Sequence, residues 1–334
     1  AIHWSCLLYA VACSAYLLTR VQLCFGRFTA AATSIALLIL ATVWICDEDL
    51  WALNADFLMG STAAVGFACL LQPISANPIS KTRLAVAGLL FGMAFTFKQS
   101  AFIFAVVPGI VALTAPGLKI GDRLVGGFIS GLAFLLPFLV FALHYSSLGY
   151  WTEFWEGFYV YNSQYATSND GSLIKNMLFI MLPYGVFILF PAIAAARLWR
   201  TGHIHNLGVI LIWLLTAILV ATATSRSWAN YLWPLNFAIA VVTGISFNWL
   251  WRSRSLPAGW RRGGALAVTV VFLALLGTRV LLGSMATVGK IDTLAAQTPK
   301  KVGGTATVIP DPEVVARIIN TATEYTTEKD TIFV

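Results

Sequence analysis

The chain has 334 residues, of which 59% are hydrophobic and only 10% charged, and its mean hydropathy is +0.81. Soluble domains carry about 25% charged residues, so this composition excludes an ordinary globular enzyme and defines a polytopic membrane protein. The net charge of +7 does not call for nucleic acid, because more than half of the basic residues fall in short connections between apolar segments, where they set topology.

The first apolar segment, Ile2 to Thr19, ends at Arg20 and Arg27 and is read as running from outside to inside. It has no basic region and cleavage site of a signal peptide, and no initiator Met precedes it. The expectation is a piece of a longer protein. Segment two, Phe28 to Cys46, leads to an acidic outer loop holding Asp47, Glu48, Asp49 and Asp56, and segment three, Phe57 to Gln72, returns to the turn QPISANPISKTR. The five cysteines, Cys6, Cys13, Cys24, Cys46 and Cys69, form no CxxC pair and lie mostly in apolar runs. They read as small hydrophobes, not as disulfides or metal ligands.

Next comes an uncharged run from Leu84 to Ala115 interrupted once, by Lys98. As a single helix it would measure about 48 Å against a hydrocarbon core of about 30 Å, with an ammonium near its middle. Basic residues flank both ends, Lys81 and Arg83 before it and Lys119 and Arg123 after it, so both ends belong on the cytoplasmic side. The expected form is a broken pair: out through Leu84 to Phe97, a turn at Lys98-Gln99-Ser100, and back through Ala101 to Ala115. The alternative is a lysine that snorkels from a helix end.

Segment six, Leu124 to Leu143, leads to His144 and an aromatic outer loop, in which Trp151, Phe154, Trp155 and Phe158 fall at helical spacing on one stripe. A helix with that stripe lies in the membrane interface as an aromatic anchor. Tyr159, Tyr161, Asn162, Gln164 and Tyr165 follow with polar and stacking groups. Segment seven, Met177 to Ala196, returns to Arg197, Arg200, His203 and His205, and the two histidines read as solvated loop residues. Segments eight (Leu207 to Thr224), nine (Tyr231 to Leu250) and ten (Ala265 to Gly283) complete the set. The pairs Gly88/Gly92 and Gly127/Gly131 suit close helix contacts. After Gly283 the sequence becomes polar, and Pro310-Asp-Pro312 ahead of Val314, Val315, Ile318 and Ile319 reads as the start of a small soluble domain. The fold class is thus an all-α, polytopic integral membrane bundle of about ten segments over residues 1–283, followed by the start of an outer soluble domain over 284–334.

Lys98, Lys175, Arg226 and Arg279 break the cytoplasmic bias of the basic residues, and such exceptions are candidates for function. On the outer side Lys98 and Arg226 join Asp47, Asp49, Asp56, His144 and the aromatic loop. Carboxylates can hold a divalent cation or act as a base, and lysine and arginine at a membrane surface suit a lipid phosphate.

The stretch GLLFGMAFTFKQ, the aromatic loop YWTEFWEGFYVYNSQY and the turn SRSWANYLWPLNFAIAV resemble the corresponding motifs of the GT-C superfamily of polytopic glycosyltransferases, which includes protein O-mannosyltransferases and lipid A aminoarabinose transferases. The resemblance implies an enzyme that moves a sugar from a polyprenyl-phosphate donor to a glycan, lipid or protein acceptor, among membrane lipids, with its active face outside the cytoplasm of a bacterial inner membrane. It implies that Lys98 meets the lipid phosphate and that Arg226 and Tyr231 form a basic-aromatic turn near the donor, where members carry His-Tyr in place of Asn230-Tyr231. Asp47 and Asp49 match a second acidic motif for a cation or acceptor, while the main catalytic base corresponds to a loop upstream of Ala1, in which case the chain alone is inactive. His144, Tyr161 and Asp56 complete the expected substrate contacts. The rival readings are a flippase for a lipid-linked sugar, which calls for charges along a path through the membrane, and a noncatalytic assembly subunit.

Overall fold

A computed structural model describes residues 2–45, 55–73, 78–160, 189–222 and 232–252. All regular structure among them is helical: α1 (Ile2–Phe25), α2 (Arg27–Ile45), α3 (Ala55–Leu70), α4 (Lys81–Phe97), a 3-10 segment (Gln99–Val106), α5 (Val107–Thr114), α6 (Ile120–Ser147), α7 (Trp151–Trp155), a π turn (Glu156–Val160), α8 (Leu189–Arg200), α9 (Ile204–Thr222) and α10 (Trp233–Arg252). The chain divides into two units, Ala1–Gly283 and Ser284–Val334. Segment ten and the polar tail lie outside the described residues, as does the beginning of segment seven.

Among the described residues four helices are long and apolar enough to cross a membrane: α1 from Ser5, α6, α9 and α10. Gln99–Thr114, bounded on both sides by described residues, is a shorter apolar stretch, so full spans stand beside at least one partial one. The outer helices expose aliphatic faces, Leu7, Leu8 and Val11 on α1, Leu132, Leu136 and Leu139 on α6, Leu211 and Leu215 on α9. In contrast, α3 is buried over most of its length and α10 continuously from Trp233 to Ser246. A helix apolar and buried all round belongs to the interior of a bundle. The centre is a ring cluster in which Phe67 of α3 stacks on Trp213 of α9 at 4.8 Å and meets Phe91 of α4 edge-on at 4.9 Å. Phe104 of the 3-10 segment completes it, 5.5 Å from Phe91.

The C-terminal end of α3 carries carbonyls with no partner inside the helix. Arg20 of α1 donates to Ala68 and Leu71 at 3.2 and 2.6 Å, and Arg83 of α4 donates to the Cys69 and Leu71 carbonyls. The His205 ring donates from Nε2 to Leu70 at 2.9 Å, and Asn206 pairs with Gln72 by two bonds, 2.8 and 2.6 Å. The histidines are therefore not solvated loop residues. His205 caps a helix end, and His203 lies with its ring centroid 5.6 Å from that of Phe25, because the α8–α9 turn packs onto the α1–α2 corner instead of facing water. Burial, then the nearby Arg197 guanidinium, holds His203 below its ordinary value of 6.5. The unfolded chain takes up that proton first, so the stability this ring contributes is present above about pH 6.5 and is lost as the pH falls below it.

α4 lies against α6 at backbone distance. A Cβ on Gly88 or Gly92 would strike the Ser130 or Phe134 carbonyl, and a Cβ on Gly126 would come within 2.7 Å of Leu84. The other small-residue pair, Gly127/Gly131, makes no such close contact among the described residues, since Gly131 has nothing near its Cβ direction and Gly127 only the Gly109 backbone at 3.9 Å. The row that faces α4 is Gly126, Ser130 and Phe134, one residue out of step. The expected outcome is that Gly92→Ala lowers stability by about 1–3 kcal/mol through overpacking, while Gly131→Ala changes it little, as measured by thermal unfolding in detergent.

Candidate functional site

The uncharged run breaks at Lys98, as its charge demands. α4 ends there: the Lys98 backbone is extended (φ −155°, ψ 128°), its N–H still donating to the Ala94 carbonyl. Ahead of the break, Thr96 turns its hydroxyl onto the Met93 carbonyl at 2.7 Å, a local bond that competes with regular helix. Beyond it, Pro108 at the start of α5 has no N–H to offer Phe104, and the Val107 N–H takes that carbonyl in 3-10 fashion. The return strand of the hairpin therefore begins as a 3-10 segment and becomes α-helical only at Val107. Arg123 of α6 binds the Leu113 carbonyl at 2.8 Å, and Lys81 of α4 pairs with Asp122 of α6 at 2.7 Å. Both ends of the hairpin thus meet at the start of α6, with Lys98 at the opposite end. Among the described residues Lys98 is the one lysine or arginine at that end, since Arg20, Arg27, Lys81, Arg83, Lys119, Arg123, Arg197, Arg200 and Arg252 gather at the other.

Lys98 is not a snorkelling residue. Its Nζ donates to the Asp56 carboxylate at 2.5 Å, with only 18% of the lysine side chain and 6% of the aspartate exposed. Asp56 lies in the first turn of α3, where the helix dipole also favours a negative charge. Ser100, two residues past the break, approaches Met59 of α3 with Oγ 3.9 Å from the sulfur. The start of α3 is thereby seated against the break in α4.

Next to this pair in the chain, a cavity of about 650 Å³ opens between the end of α4, the C-terminal end of α6 and α7. Thr96 and Gln99, on either side of Lys98, line it together with Phe138, Phe141 and Tyr145 of α6 and Tyr150, Glu153, Phe154, Gly157 and Phe158 of the aromatic loop. Lys98 itself does not. The aromatic stripe expected as a single anchor divides in two. Phe154 and Phe158 pack on Phe138 at 5.9 and 5.1 Å, and Phe158 also meets Phe95 edge-on at 5.3 Å. Trp151, Trp155 and Tyr159 remain exposed and stack in sequence at 6.0 and 4.9 Å. The reason is that α7 is a single short stretch continued by a π turn, so the rings at i, i+4 and i+8 form one ladder and Phe154 and Phe158 another.

Of the residues expected at the site, Asp56 and Lys98 are brought into contact, and His144 stands exposed at the same end of α6, its ring 5.8 Å from that of Tyr145 and outside the cavity lining. Asp47, Asp49, Tyr161, Arg226 and Tyr231 lie outside the described residues. Among the described residues no group of three or more His, Cys, Asp or Glu side chains is placed to hold a metal ion. Sequence reasoning missed Glu153, which lines the cavity from the aromatic loop, and Gln99, the neighbour of Lys98 in the turn.

The class this defines is an all-helical bundle with a polar, aromatic site at one end. The chain matches no family profile and no curated protein. Among solved structures it is similar to ArnT from Cupriavidus metallidurans bound to undecaprenyl phosphate, with a TM-score of 0.51 and 16% identity over 84% of this chain and 57% of ArnT. The apo structure of the same protein gives a TM-score of 0.48 at 14% identity, with the same shares covered. ArnT is an aminoarabinose transferase of the GT-C group. The likeness is one of fold, and the chain spans little more than half of that protein. Together with its apolar helices it makes this chain an integral membrane protein.

Removing one partner of a buried ion pair leaves the other charge without compensation, at a cost of about 3–5 kcal/mol, whereas replacing both is far less damaging. Asp56→Asn and Lys98→Met are each expected to lower the thermal stability of the detergent-purified protein markedly. The double substitution is expected to recover a large part of the loss, which a double-mutant cycle measures.

Proposed function

We propose that this chain is the donor-binding membrane part of a glycosyltransferase that takes a sugar from a polyprenyl-phosphate donor at the outer face of a bacterial plasma membrane and passes it to a glycan, lipid or protein acceptor. The observation that carries this reading is the cation at the break of α4, held by Asp56 and flanked in the chain by two residues that line an open aromatic cavity. The fold shared with a transferase solved with undecaprenyl phosphate supports it. The leaving group in such a reaction is a lipid phosphate. A fixed ammonium at Lys98, with Arg226, offsets the negative charge that grows on it in the transition state. An ammonium carries three N–H donors, so a bond to Asp56 and a contact to a phosphate oxygen are compatible. Asp56 keeps the lysine charged and in place whether or not the donor is bound. A carboxylate deprotonates the acceptor hydroxyl, and Asp47 and Asp49 are the proposed groups on this chain for that step or for holding a divalent cation. Tyr231, Tyr161 and His144 are proposed as further donor contacts.

Two measurements on the full-length protein test this reading. Undecaprenyl phosphate is expected to raise the thermal unfolding temperature of the wild type, to raise that of Lys98→Arg less, and to leave Lys98→Ala unmoved, because arginine keeps the charge but changes its geometry. An equal shift in wild type and Lys98→Ala contradicts the phosphate role. Asp47→Asn with Asp49→Asn is expected to lower turnover by roughly two or more orders of magnitude, and near-normal turnover leaves those residues as a solvated turn.

A further inference from the structure

The cavity beside the break has a lining that selects among the parts of such a donor. Its walls are aromatic, with Phe138, Phe154 and Phe158 packed on one another and Tyr145 stacked on Phe154 at 5.2 Å. Its polar groups are the Tyr145 and Tyr150 hydroxyls, the Gln99 amide, the Thr96 hydroxyl and the Glu153 carboxylate. The Thr96 hydroxyl already donates to Met93. Among the described residues of the lining, Glu153 is the one charged side chain.

That charge decides what fits. A phosphate beside Glu153 sets two negative charges together, which raises its cost, while Lys98 offers the opposite sign a short way along the chain. An isoprenoid tail covers the aromatic walls but strips water from the carboxylate and the amide without replacing their hydrogen bonds, at a cost of a few kcal/mol for each polar group. A sugar ring satisfies both parts of the lining, because its C–H face lies on aromatic rings and its hydroxyl or amino groups donate to a carboxylate and bond with an amide. The volume of about 650 Å³ falls within the range of roughly 300–1,000 Å³ typical of small-molecule sites. A Cβ on Gly157 would meet nothing within 4 Å among the described residues.

We infer that this cavity is the glycosyl subsite, in which the rings of α6 and the aromatic loop carry the face of the sugar and Glu153, with Gln99, binds its polar edge and sets which sugar is accepted. The inference rests on the donor reading above and names where the sugar of that donor sits. The aromatic loop is then part of a binding wall on its Phe154 and Phe158 side and a membrane-interface ladder on its Trp151 and Trp155 side.

The test compares thermal shifts of the full-length protein with undecaprenyl phosphate and with undecaprenyl-phosphate glycosides carrying glucose, mannose or an aminopentose. In the wild type at least one glycoside is expected to give a larger shift than the bare lipid phosphate. Gly157→Leu, which fills the cavity, and Glu153→Gln, which removes its charge, are expected to abolish that excess while keeping the shift from bare undecaprenyl phosphate. Glu153→Asp is expected to retain part of the excess or to change which glycoside gives it. The subsite assignment is overturned if no glycoside exceeds the bare lipid in the wild type, or if both variants keep the full excess. A wild type that bare undecaprenyl phosphate does not shift overturns the donor reading itself, a separate outcome.

Discussion

One charge in an apolar hairpin sets the terms for the rest of the bundle. The Lys98 ammonium cannot stay in hydrocarbon alone, and the chain answers with a break in α4 and a carboxylate from the start of α3. Because Asp56 is the second residue of α3, pairing it fixes where that helix begins and holds it against the break. The other end of the same helix is held by Arg20, Arg83, His205 and Asn206 through its last carbonyls. In a membrane, helices gain little from hydrophobic association, and close packing and interhelical hydrogen bonds decide their arrangement. α3 is thus a strut with polar bonds at both ends and a ring cluster around its middle, and α1, α4, α9 and α10 are placed by their contacts with it.

This arrangement separates charge to the two ends of the described helices and leaves their central turns without charge. A protein that carries a charged lipid headgroup across the membrane needs polar groups at depth, and among the described residues the charged side chains lie at the ends. The basic end is occupied with holding helices together, since Arg20, Arg83 and Arg123 donate to backbone carbonyls. The other end combines a paired cation, a cavity-lining carboxylate and aromatic walls.

How much of this could be read in advance follows from whether the signal is local. The broken pair was legible because a single lysine in a long apolar run is a conflict that only a break or a partner resolves, and the flanking basic residues showed that both ends share a side. The spans α6, α9 and α10 were legible from length and apolarity, with boundaries within about four residues of those expected. The Asp56–Lys98 pair was not, because its members are 42 residues apart and periodicity says nothing about contacts at that distance. Both residues stood out as candidates, yet a pairing between them had no local signature. The histidines were misread for the same reason: His205 finds its partner 135 residues away. The small-residue motif on α4 was recognised, but its partner row on α6 mixes Gly126 with Ser130 and Phe134, and a glycine pattern alone pointed one residue along. The aromatic stripe gave the helix and not its division, since helical spacing cannot tell which rings meet α6 and which face outward.

The central claim is that the break at Lys98 is where a lipid phosphate binds. Photo-crosslinking the full-length protein in membranes with a polyprenyl phosphate that carries a diazirine on its first isoprene unit tests this directly, when the labelled peptides are mapped by mass spectrometry. Labelling is expected to concentrate in residues 94–106 and in the facing part of α6, and to be suppressed by excess undecaprenyl phosphate. Labelling confined to the lipid-exposed faces of α1 and α9, or unaffected by that competitor, would contradict it.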